Sequence, residues 1–126
     1  MIIGIDASNV VSGGGLVHIQ QVLRHKGYEN KIIRKIVIWS SDKVLNEIED
    51  SKYIVKKKHF LLNKNSLIRI LWNIFLLNKE LKKEKCDLLL VLGGYNVRKF
   101  QPTVIICQNM LPFEPNEISN YGLSIR

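Results

Sequence analysis

Met1-Ile2-Ile3-Gly4-Ile5-Asp6-Ala7, followed by Ser12-Gly13-Gly14-Gly15-Leu16, sets a short β-branched run before a triple glycine. A run that is apolar at nearly every position, with a small residue inside it, reads as a strand buried on both faces. From Gly15 to Lys26 the apolar residues Leu16, Ile19, Val22 and Leu23 recur at spacings of three and four. That is the stripe of an amphipathic helix, which Gly27 stops. A strand, a glycine loop and a helix therefore begin the chain.

The same alternation continues downstream. Ile32 to Trp39 is a second β-branched run; Ser41 and Asp42 supply an N-cap, and Lys43 to Asp50 make a short helix. Tyr53 to His59 is a weaker third strand whose lysines suit a sheet edge. Ser66 is positioned to cap a long helix in which Leu67, Ile68, Ile70, Leu71, Trp72, Ile74, Phe75, Leu76 and Leu77 surround almost the whole circumference. Such a helix is expected to be covered on more than one side. Asp87 to Leu92 and Thr103 to Cys107 are strands four and five.

Alternating strands and helices with right-handed crossovers predict an α/β doubly wound parallel sheet of order 3-2-1-4-5. In that order the chain reverses direction between strands one and four, and ligands enter the crevice beyond their carboxyl ends. Those ends carry Asp6 to Gly15 and Gly93 to Asn96, the two glycine-rich segments.

The chain has 126 residues, 46% apolar and 24% charged, which is room for one compact domain spanning 1–126 and excludes disorder and fibres. Its formal charge is +8, and residues 51–85 hold ten basic side chains against two acidic ones, leaving nine against nine elsewhere. Beside an all-round apolar helix, this basic segment suits either a solvated face or an anionic membrane surface. Nucleic acid is disfavoured, since Tyr53, Phe60, Trp72 and Phe75 form no stacking platform. Cys86 and Cys107 each abut an apolar run and read as two reduced thiols in a cytoplasmic protein. The first residues lack a basic leader, and Ile70 to Leu77 is far short of the roughly 20 residues that cross a bilayer.

Ser12-Gly13-Gly14-Gly15 stands where glycines let backbone approach a ligand and a helix N-terminus offers unpaired N–H groups. Anion binding is set against a turn that three glycines merely permit. A dinucleotide fingerprint fits poorly, because Gly13-x-Gly15 would need glycine at position 18 and finds His18. His18 is placed to donate to a phosphate or sugar hydroxyl, or else to serve as an ordinary residue of the capping region. Asp6 reads as a brace for the following loop. Ser40, Ser41 and Asp42, after strand two, are where a ribose would sit in a non-catalytic nucleotide- or phosphate-binding module, the competing function. Gln108-Asn109-Met110-Leu111-Pro112-Phe113-Glu114-Pro115 leaves strand five with polar side chains and two stiffening prolines. No paired-cysteine or His-Glu-x-x-His metal spacing and no Gly-x-Ser-x-Gly elbow occurs, so metal and serine chemistry are not expected.

Three of these segments, Gly13-Gly14-Gly15-x-x-His18, Leu92-Gly93-Gly94-Tyr95-Asn96 and Gln108 to Pro115, in that order after strands one, four and five, resemble the N-terminal half of family 4 glycosyltransferases of the GT-B fold. The resemblance implies a Rossmann-like domain, one half of a GT-B architecture. It also implies a metal-independent, retaining transfer of sugar from a nucleotide-sugar donor to a hydroxyl of an envelope polysaccharide or lipid-linked acceptor. No cofactor is implied beyond that donor substrate. By analogy the backbone of Gly13, Gly14 and Gly15 faces the donor diphosphate, while His18, Gly94, Tyr95, Asn96, Gln108, Asn109 and Glu114 line the cleft on the acceptor side. Relatives often carry a histidine where this chain has Gln108, so no catalytic base is assigned.

Family members also carry a second domain with a Glu-x7-Glu donor motif, and no glutamate here has another eight residues later. The resemblance thus implies a truncated or split product, inactive without a donor-binding domain that a separate gene could encode, and located in the cytoplasm or peripherally at the inner membrane face.

Overall fold

The computed structural model describes residues 1–11, 13–24, 32–92 and 100–106. Strand β1 (Ile2–Asp6) leads to helix α1 (Gly14–Arg24), β2 (Lys35–Trp39), α2 (Asp42–Asn46) and β3 (Ile54–Lys57). A 3-10 turn (Phe60–Asn63) then precedes α3 (Ser66–Phe75), α4 (Leu77–Lys83), β4 (Leu88–Leu92) and β5 (Thr103–Ile106). The five strands form one sheet of order β3-β2-β1-β4-β5, and all four pairings are parallel. This is the doubly wound, Rossmann-like α/β arrangement that the alternating pattern predicts.

Side-chain alternation along β1 separates two cores. Ile5 and Ala7 join Ile19 and Leu23 of α1 and Val44 and Leu45 of α2 on one face. Ile2 joins Trp39, Trp72 of α3, Leu77 and Leu81 of α4, and Leu89 on the other. Gly4 points to this second face. A Cβ there would stand 2.6 Å from Leu81 Cδ2 and 3.1 Å from both Cys86 Sγ and Trp39 Cζ3, so the absent side chain lets α4 close onto the sheet.

The apolar helix departs from expectation in three ways. Its N-cap is Asn65, whose side chain accepts the Ile68 N–H at 3.1 Å, and Ser66 is the first helical residue. It is divided at Leu76 into α3 and α4. It is also covered on one side: Trp72 and Asn73 are buried, while Leu67, Leu71 and Phe75 stay exposed. At the β3 margin the lysines sit as a sheet edge favours. Lys57 pairs with Glu84 at 2.8 Å, and Lys35 reaches the same carboxylate at 3.2 Å. The two lysines hold Glu84 below the usual carboxylate range, the hydrogen bond from Lys57 being the largest cause. No helix among the described residues is long and apolar enough to cross a membrane.

Candidate functional site

The parallel register fixes where the loops leave the sheet. Asp6 of β1 lies beside Trp39 of β2 and Val91 of β4, and Val91 lies beside Ile105 of β5. The carboxyl ends of β1, β4 and β5 therefore share one edge, with the reversal of chain direction between β1 and β4. Gly13, Gly14, Gly15 and His18 follow from that edge. Gly94, Tyr95, Asn96, Gln108, Asn109 and Glu114, which follow β4 and β5 in sequence, lie outside the described residues, as does Cys107.

The glycine turn has two distinct parts. Gly13 adopts φ +68°, a left-handed conformation that a side chain would strain, and its carbonyl accepts the Val17 N–H at 3.1 Å. Gly14, the first residue of α1, needs no such conformation. Among the described residues a Cβ at either position would meet no heavy atom within 4 Å. Backbone geometry thus explains Gly13 but neither geometry nor packing explains Gly14, where alanine would favour the helix by up to about 1 kcal/mol. The first turn of α1 carries no acidic side chain, so nothing on the helix itself offsets the positive end of its dipole. His18 lies one turn in, half-buried, with Nε2 shielded from solvent and without a hydrogen-bond partner among the described residues.

Beneath this turn the first half of the β1–α1 loop is held from three directions. The Ser8 N–H donates to Asp6 Oδ1 at 3.1 Å, closing a tight turn at the end of β1. Ser40 Oγ donates to the Ala7 carbonyl at 2.8 Å, and the Ala7 N–H donates to the Trp39 carbonyl at 3.0 Å. Arg69 Nη1, reaching over from α3, donates to the Ser8 carbonyl at 3.1 Å. Asp6 is therefore a loop brace, as its position suggests.

Asn73 and Arg69 are the residues that sequence reasoning missed. Asn73 Nδ2 donates to Asp6 Oδ2 at 2.6 Å, with both residues buried. Burial pushes the Asp6 carboxyl above its ordinary value, against the opposing pull of the Ser8 and Asn73 hydrogen bonds. Asn73 Oδ1 and Arg69 Nε are buried without partners among the described residues. The available signal was Asn73 itself, a lone amide inside an otherwise apolar helical run.

Ser40 is fully buried and committed to Ala7, and Ser41 caps α2, accepting from Val44 N. Ser40 is therefore not free to meet a ribose at the end of β2, whereas Ser41 and Asp42 are half-buried there. A cleft of about 330 Å³ lies at the opposite end of the sheet, between the C-terminal half of α1 (Gln20, Arg24) and the start of β3 (Ile54). It is remote from the glycine turn. No cluster of three or more His, Cys, Asp or Glu side chains that could hold a metal is found among the described residues.

No family model, curated protein or solved structure matches the chain.

Proposed function

We propose that these residues form the acceptor-side half of an enzyme that moves a sugar from a nucleotide-sugar donor to a hydroxyl acceptor. The observation that carries this reading is the Gly13-Gly14 turn, open to its surroundings and set at the switch point of the sheet. Unpaired N–H groups at the start of α1 can meet a diphosphate there without a side chain in the way.

The chemistry follows from electrostatics. As the bond between sugar and diphosphate breaks, negative charge grows on the leaving group, and amides fixed in advance stabilise it without reorganising. The braces from Asp6, Ser40 and Arg69 hold Ala7 and Ser8, at the start of that loop, in place. His18 supplies a polar ring beside the same turn, and the segments after β4 and β5 would receive the acceptor. On this reading the base, ribose and sugar of the donor are held by a second domain, so transfer by these 126 residues alone should be slow.

Amide chemical shifts of the isotope-labelled protein test the reading. Pyrophosphate and a panel of nucleotide sugars should move the signals of residues 13–18 first, and a nicotinamide dinucleotide should bind no better than pyrophosphate. Tighter binding of the dinucleotide, or no response in residues 13–18 to any of these, overturns it.

A further inference from the structure

We infer that α3 docks this protein on an anionic bilayer surface through the outward row Leu67, Leu71 and Phe75. The inference stands on that helix face and not on the sugar-transfer reading.

The three side chains are 72%, 51% and 64% exposed and recur every four residues, which places them one above another on a single face. The opposite face, with Trp72 and Asn73, is the one packed on the sheet. Three large apolar groups in a continuous row are more than the scattered exposure ordinary for a surface. The helix has ten residues, a length of about 15 Å that lies flat on a membrane and cannot span one.

The charge around the row selects the occupant. Lys64 precedes the row in sequence, and Lys79 and Lys83 of α4 follow it beyond the break at Leu76, with Glu80 the one acid between them. All three lysines are exposed, and none is in an ion pair among the described residues. Glu84, the nearest acid in sequence to Lys83, is already engaged by Lys35 and Lys57. An exposed apolar row flanked in sequence by exposed lysines matches acyl chains beneath phosphate headgroups.

A second copy of the chain fits less well. An antiparallel pairing centred on Leu71 would set Lys64 of each copy near Lys79 of the other, like charge against like. A nucleic acid would satisfy the lysines and leave the leucines in water.

The test is co-sedimentation of the whole 126-residue chain with vesicles of phosphatidylcholine, alone or with about one-third phosphatidylglycerol. Binding should be at least about tenfold stronger to the anionic vesicles and weaken as salt is raised. The double variant Leu71→Ser/Phe75→Ser should lose about tenfold in binding with its thermal melt unchanged. Lys79→Glu/Lys83→Glu should lose binding to anionic vesicles as well, a second readout that leaves the apolar row intact. Absence of binding, equal binding to both vesicle types, or full binding by either double variant overturns the proposal. So does a concentration-dependent dimer that Leu71→Ser/Phe75→Ser abolishes.

Discussion

Asp6 and Asn73, 67 positions apart in sequence, meet at 2.6 Å where the central strand ends, and the carboxyl group there has no cation as partner among the described residues. A buried acid held by neutral donors is costly when ionised. Its position explains the cost: the same carboxyl closes the turn that starts the glycine loop.

Stability should therefore carry a pH signature from Asp6. Burial raises its folded-state pKa above the ordinary 3.8, so the stabilisation is complete below 3.8 and is lost as pH rises through the folded value. Asp6→Asn removes that loss, and a reoriented Asn73 amide can accept from the new one. Thermal melts should show the variant gaining on the wild type as pH rises above the ordinary carboxylate value of 3.8. A difference that does not change with pH would refute the assignment. Asp6→Ala, which leaves the Ser8 N–H and the Asn73 amide unpaired, should cost about 1–3 kcal/mol.

The two glycines of the turn should respond in opposite senses. Gly13→Ala forces a side chain into φ +68° and should destabilise by about 1–2 kcal/mol. Gly14→Ala has space and should stabilise the fold by up to about 1 kcal/mol. If the amides of α1 receive a diphosphate, the same substitution should weaken pyrophosphate binding by about tenfold, measured by calorimetry. A more stable protein with undiminished binding would leave Gly14 without a role in ligand approach.

Gly4→Val probes how closely α4 lies on the sheet. The added methyls must displace Leu81 and Trp39, both buried, and should cost about 1–3 kcal/mol in denaturant unfolding. Leu81→Ala alone should cost about 2–5 kcal/mol. The double variant should lose less than the sum, because the cavity accepts what the glycine site has gained.

Cys86 should be a slow thiol. Burial, aided by the negative charge of Glu84, pushes its pKa up to about 11. In a Cys107→Ser background, alkylation by iodoacetamide near neutral pH should run about a hundredfold slower than for a free cysteine, and accelerate as pH rises. Rapid modification would mean that Cys86 is more open than its place beside Gly4 allows.

The strands were legible because burial on two faces demands apolar residues at nearly every position, as Ile2 to Ile5 and Leu88 to Leu92 display. Parallel order followed from alternation with helices, and the β3 margin from its lysines. What escaped depends on which face of a helix meets the sheet. Nothing local to Leu67, Leu71 and Phe75 marks them as outward when Trp72 and Leu76, equally apolar, turn inward. Ser66 and Asn65 are both good caps, and only backbone angles choose between them. The Asp6–Asn73 contact was invisible because it joins two elements 67 residues apart in sequence, whereas the Gly13 turn, a local feature, could be read directly.

The place of β1 between β2 and β4 also dictates a sequence of events during synthesis. β1 can acquire its second neighbour only when the peptide has been made as far as Leu92, after both α3 and Asn73 have been synthesised. Until then, the segment destined for the centre of the sheet has one edge without a neighbouring strand.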